Sequence, residues 1–281
     1  MLTEKEYRSH KAVSQSNIKD WLKMTPATYK RSLETPREAS EAMKFGCALH
    51  MGILEPQEFA KHYAISDWYT FWEDYEGDDK PKTSRRAGKV YEAWKAEFEA
   101  KAEGKEILAD KGVHSLEKIE EVKRFISMNT KVLHNPSNRY EVALFGDIDG
   151  SEVKGKIDIL RLDEEKGAII DLKFTDQEIS TDKDIERLFW NGRWDIQAAM
   201  YIELVRQNYD MTLPFIFVVV NKKSKDIEIR KVVFRESDDS AYMGAAADIR
   251  EALEEIRECE KTGIWEAERP AFEPIFRPKY I

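Results

Sequence analysis

Residues Arg139–Thr175 read RYEVALFGDIDGSEVKGKIDILRLDEEKGAIIDLKFT. The stretch predicts three short strands joined by two tight turns. Asp149-Gly150 suits a two-residue hairpin loop, whose central positions need positive φ. The charged run Asp163–Gly167 predicts the second turn. With Asp149-Gly150 and Glu164-Glu165 as the loops, Glu141 lies opposite Asp158, and Asp158 lies opposite Asp171. Three carboxylates then share one row. Lys156 and Lys173 face each other one pleat further on. On the other face Ile157 meets Leu172 and Ile159 meets Ile170, an apolar surface. A slip of one residue would turn the acids into the core, so the pattern selects this register.

Opposed like charges destabilise a strand pair, so a carboxylate row needs a cation among its members. A divalent metal is one answer, because hard cations take carboxylate oxygens. A solvated face neutralised by Lys156 and Lys173 is the other. The meander alone leaves both open.

The chain has 281 residues, 42% hydrophobic and 11% aromatic, enough to bury a substantial core. No run is long and apolar enough to cross a membrane, and the start, MLTEKEYRSHK, lacks the apolar run of a signal peptide. A cytoplasmic location is therefore expected. Cys47 and Cys259 stand alone, which excludes a zinc set or an iron–sulfur cluster. A net charge of -9 restricts any nucleic-acid contact to a local basic channel.

Upstream of the meander, Ser14–Leu33, Glu38–Leu54, Val90–Lys101 and Ser115–Lys131 carry helical periodicity. Gly46 inside the second suggests close approach of a neighbour, and His50 follows one turn later. Residues 67–89, with Trp68, Tyr69, Phe71 and Trp72 before Arg85, Arg86 and Lys89, read as a long loop. Its aromatics either stack on bases or pack beneath the loop, and Arg85 and Arg86 are candidate phosphate contacts. Downstream, Trp194–Asn208 predicts a helix with Gln197 and Tyr201 on one face. Phe215–Val220 reads as a strand buried on both sides, paired with an alternating strand over Asp226–Phe234. A final helix spans Ser237–Lys261. The order predicts an α+β (mixed α/β) domain with a central mixed sheet: a mainly helical lobe over 1–135, the core over 136–262 and an arm over 263–281.

Acid-x-Lys triplets are common in this chain, at Asp78, Glu103, Glu121, Glu152 and Glu164 as well as Asp171. Context separates Asp171-Leu172-Lys173: an apolar strand precedes it and Gly155-Lys156-Ile157-Asp158 lies one strand over. With His50 in GCALHMGILEP and Gln197 and Tyr201 in QAAMY, the set resembles the PD-(D/E)xK nucleases of the RecB-like branch. The likeness is greatest to the RecE-type phage exonuclease VIII family, over roughly Ser14–Trp265. The Pro that precedes the first acid of the eponymous motif is replaced here by Ile157.

The resemblance implies a restriction-endonuclease-like core and a Mg²⁺ (or Mn²⁺) site of His50, Asp158 and Asp171. It implies that Lys173 assists the attacking water and that Gln197 and Tyr201 flank the site. Glu141 joins the ligands by register alone. The implied activity is a DNA exonuclease acting on double-stranded ends, 5′ to 3′, in annealing-type recombination. A homo-oligomeric ring and a single-strand annealing protein are the implied partners. In such a ring Arg85, Arg86, Lys154 and Lys156 would line the channel. The alternatives are another RecB-like or Cas4-like nuclease, the latter short of its cluster cysteines, and a catalytically silent DNA-binding protein on the same fold.

Overall fold

The computed structural model describes residues 4–35, 39–84, 86–163, 165–223, 227–237 and 239–268. Helix α1 (Glu4–Ser9) leads to a two-residue strand β1 (Val13–Ser14) and to α2 (Gln15–Lys23). A capping box, with the Ser14 and Asn17 side chains each bonded to the other's backbone N–H, starts α2. Thr25 caps α3 (Pro26–Glu34), and Ser40 caps α4 (Glu41–Leu54). Next come α5 (Pro56–His62), β2 (Tyr63–Ser66), α6 (Trp68–Asp74), α7 (Lys89–Ala102), β3 (Glu106–Ala109) and α8 (Leu116–Asn129). The second half contains β4 (Asn138–Ile148), β5 (Ser151–Arg161), β6 (Ala168–Thr175), α9 (Asp182–Asn191), α10 (Trp194–Tyr209), β7 (Phe215–Asn221), β8 (Glu228–Phe234) and α11 (Asp239–Thr262).

Six strands form one mixed sheet in the order β1-β5-β6-β7-β8, with β4 along the remaining edge of β5. β2 and β3 form a separate parallel pair. The Asp149-Gly150 hairpin has the predicted register, Ile148 opposite Ser151, and both turn residues take positive φ. β5 and β6 also pair in the predicted register, but only over Ile159↔Ile170, Leu160↔Ile169 and Arg161↔Ala168. Their connection is wider than two residues, and Glu164 lies outside the described residues.

Beyond Ile159↔Ile170 the ladder opens. β4 covers the whole of one edge of β5, so β1, at Val13↔Val153 and Ser14↔Lys154, must share the other edge with β6. Gly155–Asp158 falls in the gap between them.

The pleat also inverts there. Val153, Ile157 and Leu160 pack in one core cluster with α2, α9, α10 and α11. Ile159 packs with Ile170 and Leu172 in a second cluster, beneath α4, α5 and α8. Side chains two apart on a regular strand share a face, so Ile157 and Ile159 show that alternation breaks at Asp158. Its neighbour Glu141 has φ 52 and no ladder partner. Two sequence expectations are corrected by this break. Ile157 does not meet Leu172, and Lys156 and Lys173 turn to different partners.

The segment 67–89 is not one loop. Trp68–Asp74 is helical, Trp68 is fully buried, and its ring packs against Phe71, Tyr91 and Trp94. Trp68 and Trp72 donate their indole N–H groups to the carbonyls of Ser84 and Pro81, tying the rest of the segment down. The packing role of these aromatics therefore prevails. Gly46 is corrected as well: a Cβ there would meet nothing, whereas one on Gly52 would lie 2.8 Å from Ile119.

Candidate metal centre in the opened sheet

Three layers contribute to one cluster where the β5–β6 ladder opens. α4 supplies His50, β4 and β5 supply Glu141 and Asp158, and β6 supplies Asp171 and Lys173, with Gln197 and Tyr201 approaching from α10. One ligand atom each from His50, Glu141 and Asp158 lies within 4.8 Å of the others. His50 Nδ1 is 3.5 Å from Asp158 Oδ2, and its ring stands edge-on to Phe174. Asp158 Oδ2 also accepts the Leu172 N–H at 2.8 Å, replacing the ladder bond lost in the gap.

Asp171 is buried beside this group. Its Oδ1 accepts from Gln197 Nε2 at 2.5 Å. Its Oδ2 is 2.8 Å from Lys173 Nζ but has no partner in hydrogen-bond geometry among the described residues. Lys173 instead donates to Gln197 Oε1 at 2.9 Å, so one amide orients both the acid and the lysine. Lys156 pairs with Glu141 at 2.6 Å and lies 4.0 Å from Glu55. The Tyr201 hydroxyl accepts the Lys156 backbone N–H at 3.4 Å. That approach requires Gly155, because a Cβ there would lie 2.6 Å from the tyrosine ring.

Electrostatics follow from burying acids together. Burial, then the Asp171 charge, pushes Asp158 up to about 8. Burial, then Asp158, pushes Glu141 up to about 7 despite Lys156. Burial lowers His50 against the pull of Asp171, so its imidazole is neutral at pH 7 and has a lone pair to donate. Packed acids held partly protonated, a neutral imidazole and a buried Asp171 oxygen without a hydrogen bond form a donor set that fits a divalent cation.

Other predicted residues are placed elsewhere. Lys154 is 7% exposed and donates to the carbonyls of Tyr7 and His10 at 2.8 and 2.7 Å, so it anchors the N-terminal segment and is not available to line a channel. Arg86 sits over the Tyr69 ring, among the residues lining a groove of about 420 Å³ between α4 and the β2–β3 pair; His50, Glu141 and Asp158 are not among them. Arg85 lies outside the described residues. One charged residue escapes the motifs. Lys19 on α2 is half-buried, and burial followed by the Lys173 charge lowers it to about 7. The only sequence signal was its position between Ile18 and Trp21, the buried residues of an amphipathic helix.

Residues 14–269 match the model of a PDDEXK-like domain of unknown function, DUF3799. The chain belongs to this PDDEXK-like family. It is therefore part of the PD-(D/E)xK nuclease superfamily, whose members use divalent metals. A crystal structure from Eubacterium rectale, of a protein provisionally named an exonuclease, superposes with a TM-score of 0.58 at 19% identity. It covers 98% of this chain and 96% of its own, which shows that the PDDEXK-like chain shares that fold. A second structure, SSO0001, covers 52% of this chain and 62% of its own at 15% identity, with a TM-score of 0.33. No curated protein matches the chain. Among the described residues of this PDDEXK-like protein no helix is long and apolar enough to cross a membrane.

Proposed function

We propose that this PDDEXK-like nuclease is a Mg²⁺- or Mn²⁺-dependent exodeoxyribonuclease that degrades double-stranded DNA from its ends. The convergence of His50, Glu141 and Asp158 beside the Asp171–Lys173–Gln197 network carries this reading. His50, Glu141, Asp158 and Asp171 would hold the cation. When bound, it supplies an acidified water and neutralises phosphate charge.

The residues then divide the work. Asp171, fixed by Gln197, accepts hydrogen bonds from the attacking water and aligns it. Lys173, 2.8 Å from Asp171 Oδ2, stabilises the nucleophile and the charge gathering on the phosphate oxygens. Gln197 keeps Lys173 aimed at that point. Tyr201 holds the Gly155–Asp158 backbone in the ladder gap through the Lys156 N–H. Lys156 and Arg86 are the proposed phosphate contacts outside the centre.

A 5′ to 3′ polarity, a role in annealing-type recombination with a single-strand annealing partner, and a homo-oligomeric ring are part of the proposal. They rest on the motif likeness to the RecE type. The decisive experiment is an end-labelled linear duplex assay in Mg²⁺, with a closed-circular control and an Asp171→Ala variant. Release of nucleotides from linear ends alone, lost in the variant and in EDTA, is expected. Metal-independent activity, or unchanged activity in Asp171→Ala, would refute the mechanism, and cutting of closed circles would refute end dependence.

A further inference from the structure

We propose that Lys156 stands where a second cation would bind, so that the centre takes one divalent ion and a protein ammonium supplies the second positive charge. The inference rests on the nuclease reading above. Two-ion nuclease sites hold their cations about 3.5–4 Å apart. Cations so close need carboxylates between and beside them. The acid placed for that role is Glu141, which shares the ligand cluster with His50 and Asp158. Its Oε2 is 2.6 Å from Lys156 Nζ, and the same Nζ is 4.0 Å from Glu55 Oε2.

The ammonium is held in that place. Lys156 belongs to the part of β5 left between β1 and β6, and its backbone N–H donates to the Tyr201 hydroxyl at 3.4 Å. Its side chain is 25% exposed and that of Glu141 is 14% exposed, so the pair is poorly screened by water. α4 serves both positions. His50 meets Asp158 in the ligand cluster, and Glu55, at the C-terminal cap of the same helix, meets Lys156.

The other flanking acid is closed in the same manner, with Lys173 Nζ 2.8 Å from Asp171 Oδ2. Glu55, Glu141, Asp158 and Asp171 thus meet two ammoniums, which leaves two negative charges once the acids ionise. One divalent ion balances them. A second would bring an excess of positive charge into a largely buried site, and would first have to displace Lys156 from Glu141. Lys156 also suits the work of the missing ion. In two-ion sites the second cation neutralises charge on the phosphate and the leaving oxygen. An ammonium has three donors, so pairing with Glu141 is compatible with a phosphate contact.

The test titrates the metal-free full chain with Mn²⁺ alone, followed by calorimetry and by electron paramagnetic resonance of the bound ion. Wild type should take up about one tight ion per chain, and Lys156→Gln about two, with the spin–spin broadening of neighbouring ions. Lys156→Met, which keeps the apolar stem, should behave alike and carries the count should Lys156→Gln fail to fold. Adding Glu55→Gln to either variant should return the count to about one, because the freed acid is the new ligand. In Mg²⁺, the order of cleavage in metal should rise from about one to about two in Lys156→Gln. A lysine with only a structural role would change stability and leave the count at one. Two coupled ions in the wild type, or a single ion in the Lys156 variants, would overturn the inference and leave the nuclease reading intact. No tight ion in the wild type, or wild-type cleavage by Asp171→Ala, would remove the nuclease reading and this inference with it.

Discussion

Metal-free protein should lose stability as pH rises through neutrality, because the site holds protons that the unfolded chain releases. Asp158 is raised to about 8 and Glu141 to about 7, and both side chains are 14% exposed. A carboxyl raised in the folded state gives stability that is complete below its unfolded pKa and disappears as pH climbs through the folded one. Between pH 6.5 and 7.5 Asp158 keeps most of its proton and Glu141 on average half. At roughly 1.4 kcal/mol per proton per pH unit, the two together cost about 2 kcal/mol over that interval. His50 shifts in the opposite sense, and its contribution falls mainly below this window. Urea unfolding in EDTA at pH 6.5, 7.0 and 7.5 would measure the slope. The Asp158→Asn/Glu141→Gln double variant should flatten it. Saturating Mn²⁺ should stabilise the wild type more at pH 7.5 than at 6.5, because ligation requires the ionised acids. A slope unchanged by the double variant would refute the idea that these carboxyls share a buried, cation-seeking site.

Two further outcomes follow from particular contacts. Gly155→Ala places a methyl within 2.6 Å of the Tyr201 ring and 2.9 Å of Leu204, and should cost about 1–3 kcal/mol in urea unfolding while reducing cleavage. Lys154→Met leaves the Tyr7 and His10 carbonyls without their ammonium, and should cost about 2 kcal/mol and expose the N-terminal segment to limited proteolysis while the DNA salt slope holds.

The register of the meander was legible in the sequence because it depends on short-range terms. The Asp-Gly turn and the alternation of apolar residues specify it locally, and the hairpin Ile148↔Ser151 and the pair Ile159↔Ile170 agree with them. Phe215–Asn221 and Trp194–Tyr209 were legible for the same reason, one as an unbroken β-branched and aromatic run, the other through its spacing. The break at Asp158 was not. It depends on positive φ at Glu141, on β1 occupying part of the β5 edge, and on Tyr201 arriving from α10. No local pattern encodes those long-range facts.

α6 escaped because seven residues rich in aromatics show no clear period, and their partners lie more than ten residues downstream. β2 and β3 pair across an intervening pair of helices, a contact that four-residue runs cannot announce. Gly46 misled because a helical glycine signals low propensity without saying which side is crowded. Lys154 misled as well. A basic residue on a strand proved to be anchored by backbone carbonyls.

The gap in the β5 edge also determines which length changes this chain can absorb over evolutionary time. The acids are positioned by flanking ladder pairs, Val13↔Val153 on one side and Ile159↔Ile170 on the other, and not by the connections between strands. Residues can be added to the 75–88 segment or to the turn after Arg161 without displacing a carboxylate. One residue added or removed between Gly155 and Asp158 would return the strand to regular alternation and turn Asp158 away from His50. Drift in length should therefore gather at the loops, while the four positions of the gap keep a fixed count.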